Sequence, residues 1–342
     1  MTSTGALIER RLAEWGYVPA VLSDVCLTSE PAAIGDGLEE VCVRRLGSAV
    51  ADPEFFKTSV GIVLGARLTD GRRVVLKVHP PRVSERFLAA VQHVQATLRC
   101  AGFAAPAPLG GPFPLGAGRL VMESLEDRGE IADARDAATR GLLASGLADL
   151  VALARPLVDI AGLRENPMIV RPGRLFPDPH DLRFDFGARG GEWIDAIATR
   201  AARAGEAAGD RVVGHSDWRA EHVRVESGRL SAVYDWDSLS IAREPIIVGQ
   251  AAHAFTMDWE STERRQLPTL AEALEFIADY QAARGAPFSR AESRAARAAL
   301  VSTMAYTARC EHSDATRGGA TTLPAGSARA FLGAHAHALL AT

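Results

Sequence analysis

Lysine is nearly missing from this chain. Of its 38 basic residues only Lys57 and Lys77 are lysines, and the rest are arginines. A surface that merely needs positive charge is served here by arginine, so a lysine kept inside an apolar run calls for a specific reason. Asparagine occurs once, as Asn166. No basic excess is present either: the formal net charge is −4, which removes the electrostatic footprint of a nucleic-acid partner. The four cysteines, Cys26, Cys42, Cys100 and Cys310, lie far apart in sequence, which excludes a CxxC redox pair and a zinc knuckle. They are expected as reduced, buried thiols of a cytoplasmic protein. The most apolar stretch, Gly141 to Leu163, is broken by Asp149, Arg155, Pro156 and Asp159, so no membrane span is expected. The N-terminus carries acids and arginines where a signal peptide needs an apolar core.

What is present is ordinary globular material, with an apolar fraction of 47% in 342 residues, enough for one large domain or two lobes. In residues 1–38, Ile8, Leu12 and Trp15 fall on one helical face, so this segment reads as a helical extension. Strands are expected at Val41–Leu46, Thr58–Leu68 and Arg72–Val78, with a tight turn at Thr69-Asp70-Gly71. The third of these runs, RRVVLKV, holds Lys77. Pro80 and Pro81 end it, and Ser84 is the expected N-cap of a helix running to Cys100. Its apolar positions are Phe87, Leu88, Val91, Val94 and Leu98. A Pro/Gly-rich crossing, Ala104–Pro114, leads to a strand at Arg119–Met122. Beyond residue 127 the pattern is mostly helical.

The most informative stretch is Val212–Glu244. An apolar pair, Val212-Val213, enters the polar loop His215-Ser216-Asp217-Trp218-Arg219. Two short strand-like runs then flank a Ser227-Gly228 turn, and the second delivers Asp235-Trp236-Asp237. A hairpin centred there folds Asp235 back beside Glu221 and His222. One carboxylate before the hairpin and one after it converge, as a catalytic base and a metal ligand must.

In these residues the chain resembles the aminoglycoside phosphotransferases and related small-molecule kinases. Their catalytic loop has the form H-G-D-x-H-x-x-N, followed by a hairpin and an I-D-[FW]-[ED] metal segment. His215-Ser216-Asp217 matches the start of the loop, and Tyr234-Asp235-Trp236-Asp237 matches the metal segment. The chain departs from the pattern at Ser216, Arg219 and His222, the last standing where the family has its metal-binding asparagine. The resemblance implies an α+β, two-lobed protein-kinase-like fold with a small β-rich N-lobe (39–126) and a larger, mostly helical C-lobe (127–342). It implies ATP as cofactor with Mg²⁺, Mn²⁺ being the alternative ion, and a small-molecule acceptor without nucleic acid or membrane. By the same resemblance Asp217 accepts the acceptor's proton, His215 braces the loop, and Asp235 holds the metal with help from Asp237. Lys77 answers to the lysine of V-A-I-K, which reaches the α- and β-phosphates.

Further nucleotide contacts follow from the same comparison. Gly47 and Ser48 are placed over the phosphates, and Glu123 and Leu125 fall on the hinge beside adenine. Kinases hold the strand lysine with a helix carboxylate; here the choice is Glu85 or, in its place, Gln92 or Gln95. Three roles are open to His222: ligand of a second metal, hydrogen-bond partner of Asp217 or a phosphate, or bystander to a single metal at Asp235. Phe184-Asp185-Phe186-Gly187 spells D-F-G but precedes His215 without a hairpin, so it is read as packing. Asp258, Glu260, Glu311 and Asp314 are either acceptor-recognising acids or plain surface acids. Two other function classes remain at this point: a catalytically silent nucleotide binder, and a metal-dependent hydrolase built on His215, Asp217 and His222.

Overall fold

The computed structural model describes the chain except for residues 1, 169–173, 180–182, 206–207, 259–260, 262–265, 319–325 and 342. The chain divides into two compact units, Met1–Asp127 and Arg128–Thr342.

The first unit begins with α1 (Ser3–Trp15), α2 (Val21–Cys26) and α3 (Pro31–Val41). It continues through β1 (Val50–Thr58), β2 (Ile62–Leu68), β3 (Arg73–His79), α4 (Glu85–Cys100), β4 (Pro108–Leu115) and β5 (Gly118–Ser124). The strands form one antiparallel sheet in the order β1-β2-β3-β5-β4. Strand alternation divides its faces. Ile62, Leu64, Val74, Leu76, Val78, Leu120 and Met122 bury against Leu7, Ile8, Leu22, Leu38 and Val41 of the first three helices. Val75, Lys77, Val121 and Glu123 belong to the other face. Ser84 caps α4 by accepting from the Phe87 amide at 3.2 Å.

Two expectations fail here. Val41–Leu46 is not a strand: α3 continues through it as a π-helical turn, Cys42–Leu46, closed by Gly47 at φ 70°. Its β-branched residues suggested a strand, but Ile34, Leu38, Val41 and Cys42 form a buried helical face, and tertiary packing overrides propensity. The Ala104–Pro114 crossing contains an edge strand, β4, where the ladder tolerates proline.

The second unit contains α5 (Ala137–Ala154), α6 (Glu192–Ala204), β6 (Arg211–His215), β7 (Val223–Glu226), β8 (Arg229–Val233) and β9 (Leu239–Arg243). Four helices follow: α7 (Glu244–Ala254), α8 (Leu270–Ala283), α9 (Arg290–Gly318) and α10 (Ala328–Ala341). β6 pairs with β9, and β7 with β8. The β7–β8 turn places Ser227 and Gly228 at φ 51° and 73°, the left-handed pair that a two-residue hairpin requires. Ala137–Leu157 is long and apolar enough by composition to cross a membrane, the one such segment among the described residues. Its Leu143, Leu147, Leu150 and Val151 are buried in the fold, as expected of a core helix. The cysteines divide: Cys42 and Cys310 are buried, Cys26 is half-buried, and Cys100 is exposed against expectation. Burial pushes the Cys42 thiol up to about 11.

α7 and α9 approach closely at Gly249. A Cβ there would lie 2.1 Å from the Ala296 carbonyl oxygen and 2.7 Å from the Ala299 Cβ. Gly249→Ala therefore sets a helix-propensity gain of about 1 kcal/mol against overpacking of about 1–3 kcal/mol. The expected result is a net loss of stability, seen as a lower thermal midpoint. An unchanged or higher midpoint would show that the two helices can part without cost.

Candidate active site

β6 ends at His215, whose side chain is fully buried. Its Nδ1 accepts from the Asp217 amide at 3.2 Å, which leaves Nε2 to donate to the Tyr234 carbonyl at 3.0 Å. The imidazole thus ties the loop after β6 to the strand end that delivers Asp235. Burial holds its pKa below the ordinary value, so the ring serves as a neutral brace. Two tryptophans complete the anchorage. Trp218 packs edge-on to His215 and donates to the Leu143 carbonyl of α5 at 3.0 Å. Trp236 donates to the Val233 carbonyl at 2.7 Å.

The hairpin brings its ends together as its register requires, with the Tyr234 amide donating to the His222 carbonyl at 2.8 Å. Asp235 then adopts φ 60°, ψ 45°, a left-handed conformation that aspartate tolerates better than most residues. Ser238 donates its hydroxyl to Asp235 Oδ2 at 2.5 Å and its amide to the Asp235 carbonyl at 2.9 Å. The Asp237 carbonyl accepts from Arg164 at 3.0 Å. Ser216 pins the two loops together, its hydroxyl and amide both donating to the Ser238 carbonyl.

One ligand atom each from Asp217, His222 and Asp235 lies within 4.8 Å of the others. The two carboxylates suit a hard cation such as Mg²⁺. The histidine is differently engaged. Its Nδ1 faces the Asp217 carbonyl oxygen at 3.0 Å, so that nitrogen carries the proton. Its remaining lone pair, on Nε2, accepts from Arg219 at 3.0 Å. Burial pushes its pKa down. His222 therefore braces the loop by hydrogen bonding to the Asp217 backbone, and its free lone pair points at a guanidinium. Arg219 also pairs with Asp217 Oδ2 and with Glu221, each at 2.9 Å.

In the first unit Lys77 sits on β3, 13% exposed, with its ammonium 2.8 Å from Glu123 of β5. Glu85 is not its partner: that carboxylate pairs with Arg119 at 2.5 Å, near solvent. Gln95 does not reach the ammonium as a substitute carboxylate would, but donates to the other oxygen of Glu123 at 2.8 Å. Gln92 donates to the Gly110 carbonyl. Leu125 continues the ladder through its amide, which donates to the Arg73 carbonyl at 3.0 Å. Ser48 does not lie in a β1–β2 turn. Its buried hydroxyl bonds Thr69 at 2.9 Å and accepts from the Asp70 amide at 3.2 Å, at the β2–β3 turn. The strand shift explains the error: β1 starts only at Val50, so the β1–β2 turn is Ser59-Val60-Gly61. A Cβ on Gly61 would stand 2.3 Å from the Val78 carbonyl oxygen, a close approach that only glycine allows.

The remaining readings fall out simply. Phe186 packs edge-on to Phe176 and Tyr306, and the Asp185 carboxylate is turned to the Gly187 amide, so the D-F-G triplet is structural. Glu311 accepts from the Ala328 and Arg329 amides at the start of α10. Asp314 pairs with Arg317 on the surface. Asp258 is buried, and Glu260 lies outside the described residues. Sequence reasoning missed the bracing by Arg219, Glu221 and Ser238; each stands within four residues of a recognised acid, which was the available signal.

A sequence profile of the phosphotransferase enzyme family matches residues 66–243. The chain belongs to this family. Its fold is that of small-molecule kinases among solved structures. Amicoumacin kinase hAmiN, solved in complex with AMP-PNP, Ca²⁺ and Ami, superposes with a TM-score of 0.60 at 11% identity, over 91% of this chain and 96% of the other. Spectinomycin phosphotransferase APH(9)-Ia gives 0.55 at 13% identity, over 87% and 97%. Macrolide 2'-phosphotransferase MphH from Brachybacterium faecium gives 0.51 at 18% identity, over 84% and 98%. No curated protein matches the sequence significantly.

Proposed function

We propose that this member of the phosphotransferase family transfers the γ-phosphoryl group of ATP to a hydroxyl of a small molecule. The observation that carries this reading is the convergence of Asp217 and Asp235, held by His215, Ser216 and Ser238 across the hairpin. Asp217 takes the role of proton acceptor for the incoming hydroxyl. A carboxylate suffices there because the hydroxyl becomes acidic only as phosphorus approaches. Arg219 holds Oδ2 of Asp217. Asp235, with Asp237 beside it, would hold Mg²⁺, or Mn²⁺ in its place; that ion supplies the positive charge that neutralises the phosphate oxygens. Lys77 supplies the ammonium for the α- and β-phosphates, as a compact point charge.

The solved relatives support nucleotide use, since amicoumacin kinase was captured with AMP-PNP and the spectinomycin enzyme with ADP. They also support an acceptor of antibiotic or metabolite size, aminoglycoside-like, sugar-like or otherwise hydroxylated. The hydrolase reading is weakened on both imidazoles: His215 donates to the Tyr234 carbonyl and accepts from the Asp217 amide, while His222 faces the Asp217 carbonyl with one nitrogen and Arg219 with the other, so each ring is already engaged by the protein. The test is a panel of hydroxylated antibiotics and metabolites assayed for ADP release. At least one acceptor should raise release well above the acceptor-free rate and emerge as a phosphate monoester. A folded enzyme that binds ATP yet phosphorylates nothing across a broad panel would favour a silent nucleotide binder.

A further inference from the structure

The carboxylate beside Lys77 comes from an unexpected element. α4 carries a single carboxylate, Glu85, in its first turn, where it is 58% exposed and engaged with Arg119. Glu123 lies instead on β5. The register sets Lys77 opposite Val121 and Val75 opposite Glu123, so Lys77 and Glu123 share a sheet face as diagonal neighbours. The pair is buried, with side chains 13% and 7% exposed. Both carboxylate oxygens are used: Oε1 meets the Lys77 ammonium and Oε2 accepts from Gln95 of α4. Gln95 is 2% exposed and also donates to the Pro106 carbonyl at 3.1 Å. A buried carboxylate persists only with such partners, because an isolated one is strongly disfavoured.

The geometry points to Glu123 as the positioning residue for the phosphate-binding lysine, the carboxylate having moved from the helix to the neighbouring strand while α4 keeps only an amide. This inference rests on the phosphotransferase reading. Its consequence is mechanical. Where a helix supplies the carboxylate, displacement of that helix breaks the ion pair and switches the enzyme off. Here β3–β5 ladder hydrogen bonds fix the pair within one sheet, and α4 contributes the amide of Gln95. The lysine is therefore held ready whether or not α4 shifts.

The full-length protein, with ATP, Mg²⁺ and an acceptor identified by screening, tests this directly. Glu123→Gln should raise KM for ATP about tenfold with a smaller fall in kcat, as expected for a lost charge-assisted contact worth one decade. Glu85→Gln should leave both constants within about twofold, as for an exposed ion pair. Glu123→Asp keeps the charge on the same strand and should lie closer to wild type in KM than the isosteric Glu123→Gln; a purely structural role would favour the isostere instead. Thermal melts confirm that each variant folds. A second readout needs no turnover: Lys77 and Lys57 are the only lysines, so acylation by a small anhydride can be followed site by site. Lys77 should acylate several times faster in Glu123→Gln and at the wild-type rate in Glu85→Gln. Wild-type kinetics and acylation in a folded Glu123→Gln variant, or a larger effect from Glu85→Gln, would overturn the assignment. A wild-type protein that ignores ATP while Lys77 still responds to Glu123→Gln would instead refute the phosphotransferase reading and leave the ion pair standing.

Discussion

Asp217→Asn should lower kcat by about 10³-fold while leaving ATP affinity within about twofold. The substitution keeps the backbone contacts that place the residue: the amide donating to His215 and the carbonyl accepting from His222. An asparagine Oδ1 can still accept from Arg219, which now approaches Asp217 Oδ2 at 2.9 Å. What disappears is the ability to take a proton from the acceptor hydroxyl. The loss therefore belongs in kcat, not in nucleotide binding. Turnover within about twofold of wild type would remove Asp217 from the proposed role, since general-base contributions run to about 10²–10⁴-fold.

Asp235→Asn carries the other large effect, and its signature differs. Asparagine also tolerates the left-handed backbone seen at φ 60°, and its oxygen can keep the Ser238 hydroxyl contact. The variant thus removes a charge from a conserved geometry rather than breaking a turn. Turnover should fall by about 10²–10³-fold, the scale seen when one electrostatic contact to the transition state is lost. In addition the dependence of ATP affinity on Mg²⁺ should flatten, because the ion's carboxylate is gone. A calorimetric titration of ATP at several Mg²⁺ concentrations separates this from Asp217→Asn, which should keep the wild-type dependence. A variant with full Mg²⁺ dependence would place the metal elsewhere.

The β7–β8 hairpin was legible in the sequence because its signals are local. Ser227-Gly228 sets the turn, the turn sets the register, and the register returns Asp235 to His222. Ser84 announced α4 for the same reason: a cap and its helix are neighbours in the chain. The lysine's partner was hidden because Lys77 and Glu123 meet only through the pairing of β3 with β5, across an intervening helix and strand. No periodicity in either segment records that register. The helix expectation came from the family resemblance, which Glu85 satisfied in composition but not in position. Ser48 was misplaced because the first strand begins at Val50 and not at Val41. His222 illustrates a different limit. Its identity was plain, but its role depends on which nitrogen carries the proton, and only the Asp217 carbonyl and Arg219 decide that.

The central proposal is that this chain binds ATP together with a divalent cation, as its phosphotransferase reading requires. The most direct measurement is calorimetric titration of ATP into the purified wild-type protein with Mg²⁺, repeated with Mn²⁺ and without either ion. Saturable one-to-one binding that tightens with the divalent ion, and weakens in Lys77→Ala, is the predicted result. A well-folded protein that takes up no ATP at about millimolar concentration, near the upper end of ordinary KM values, with either ion present, would contradict the account.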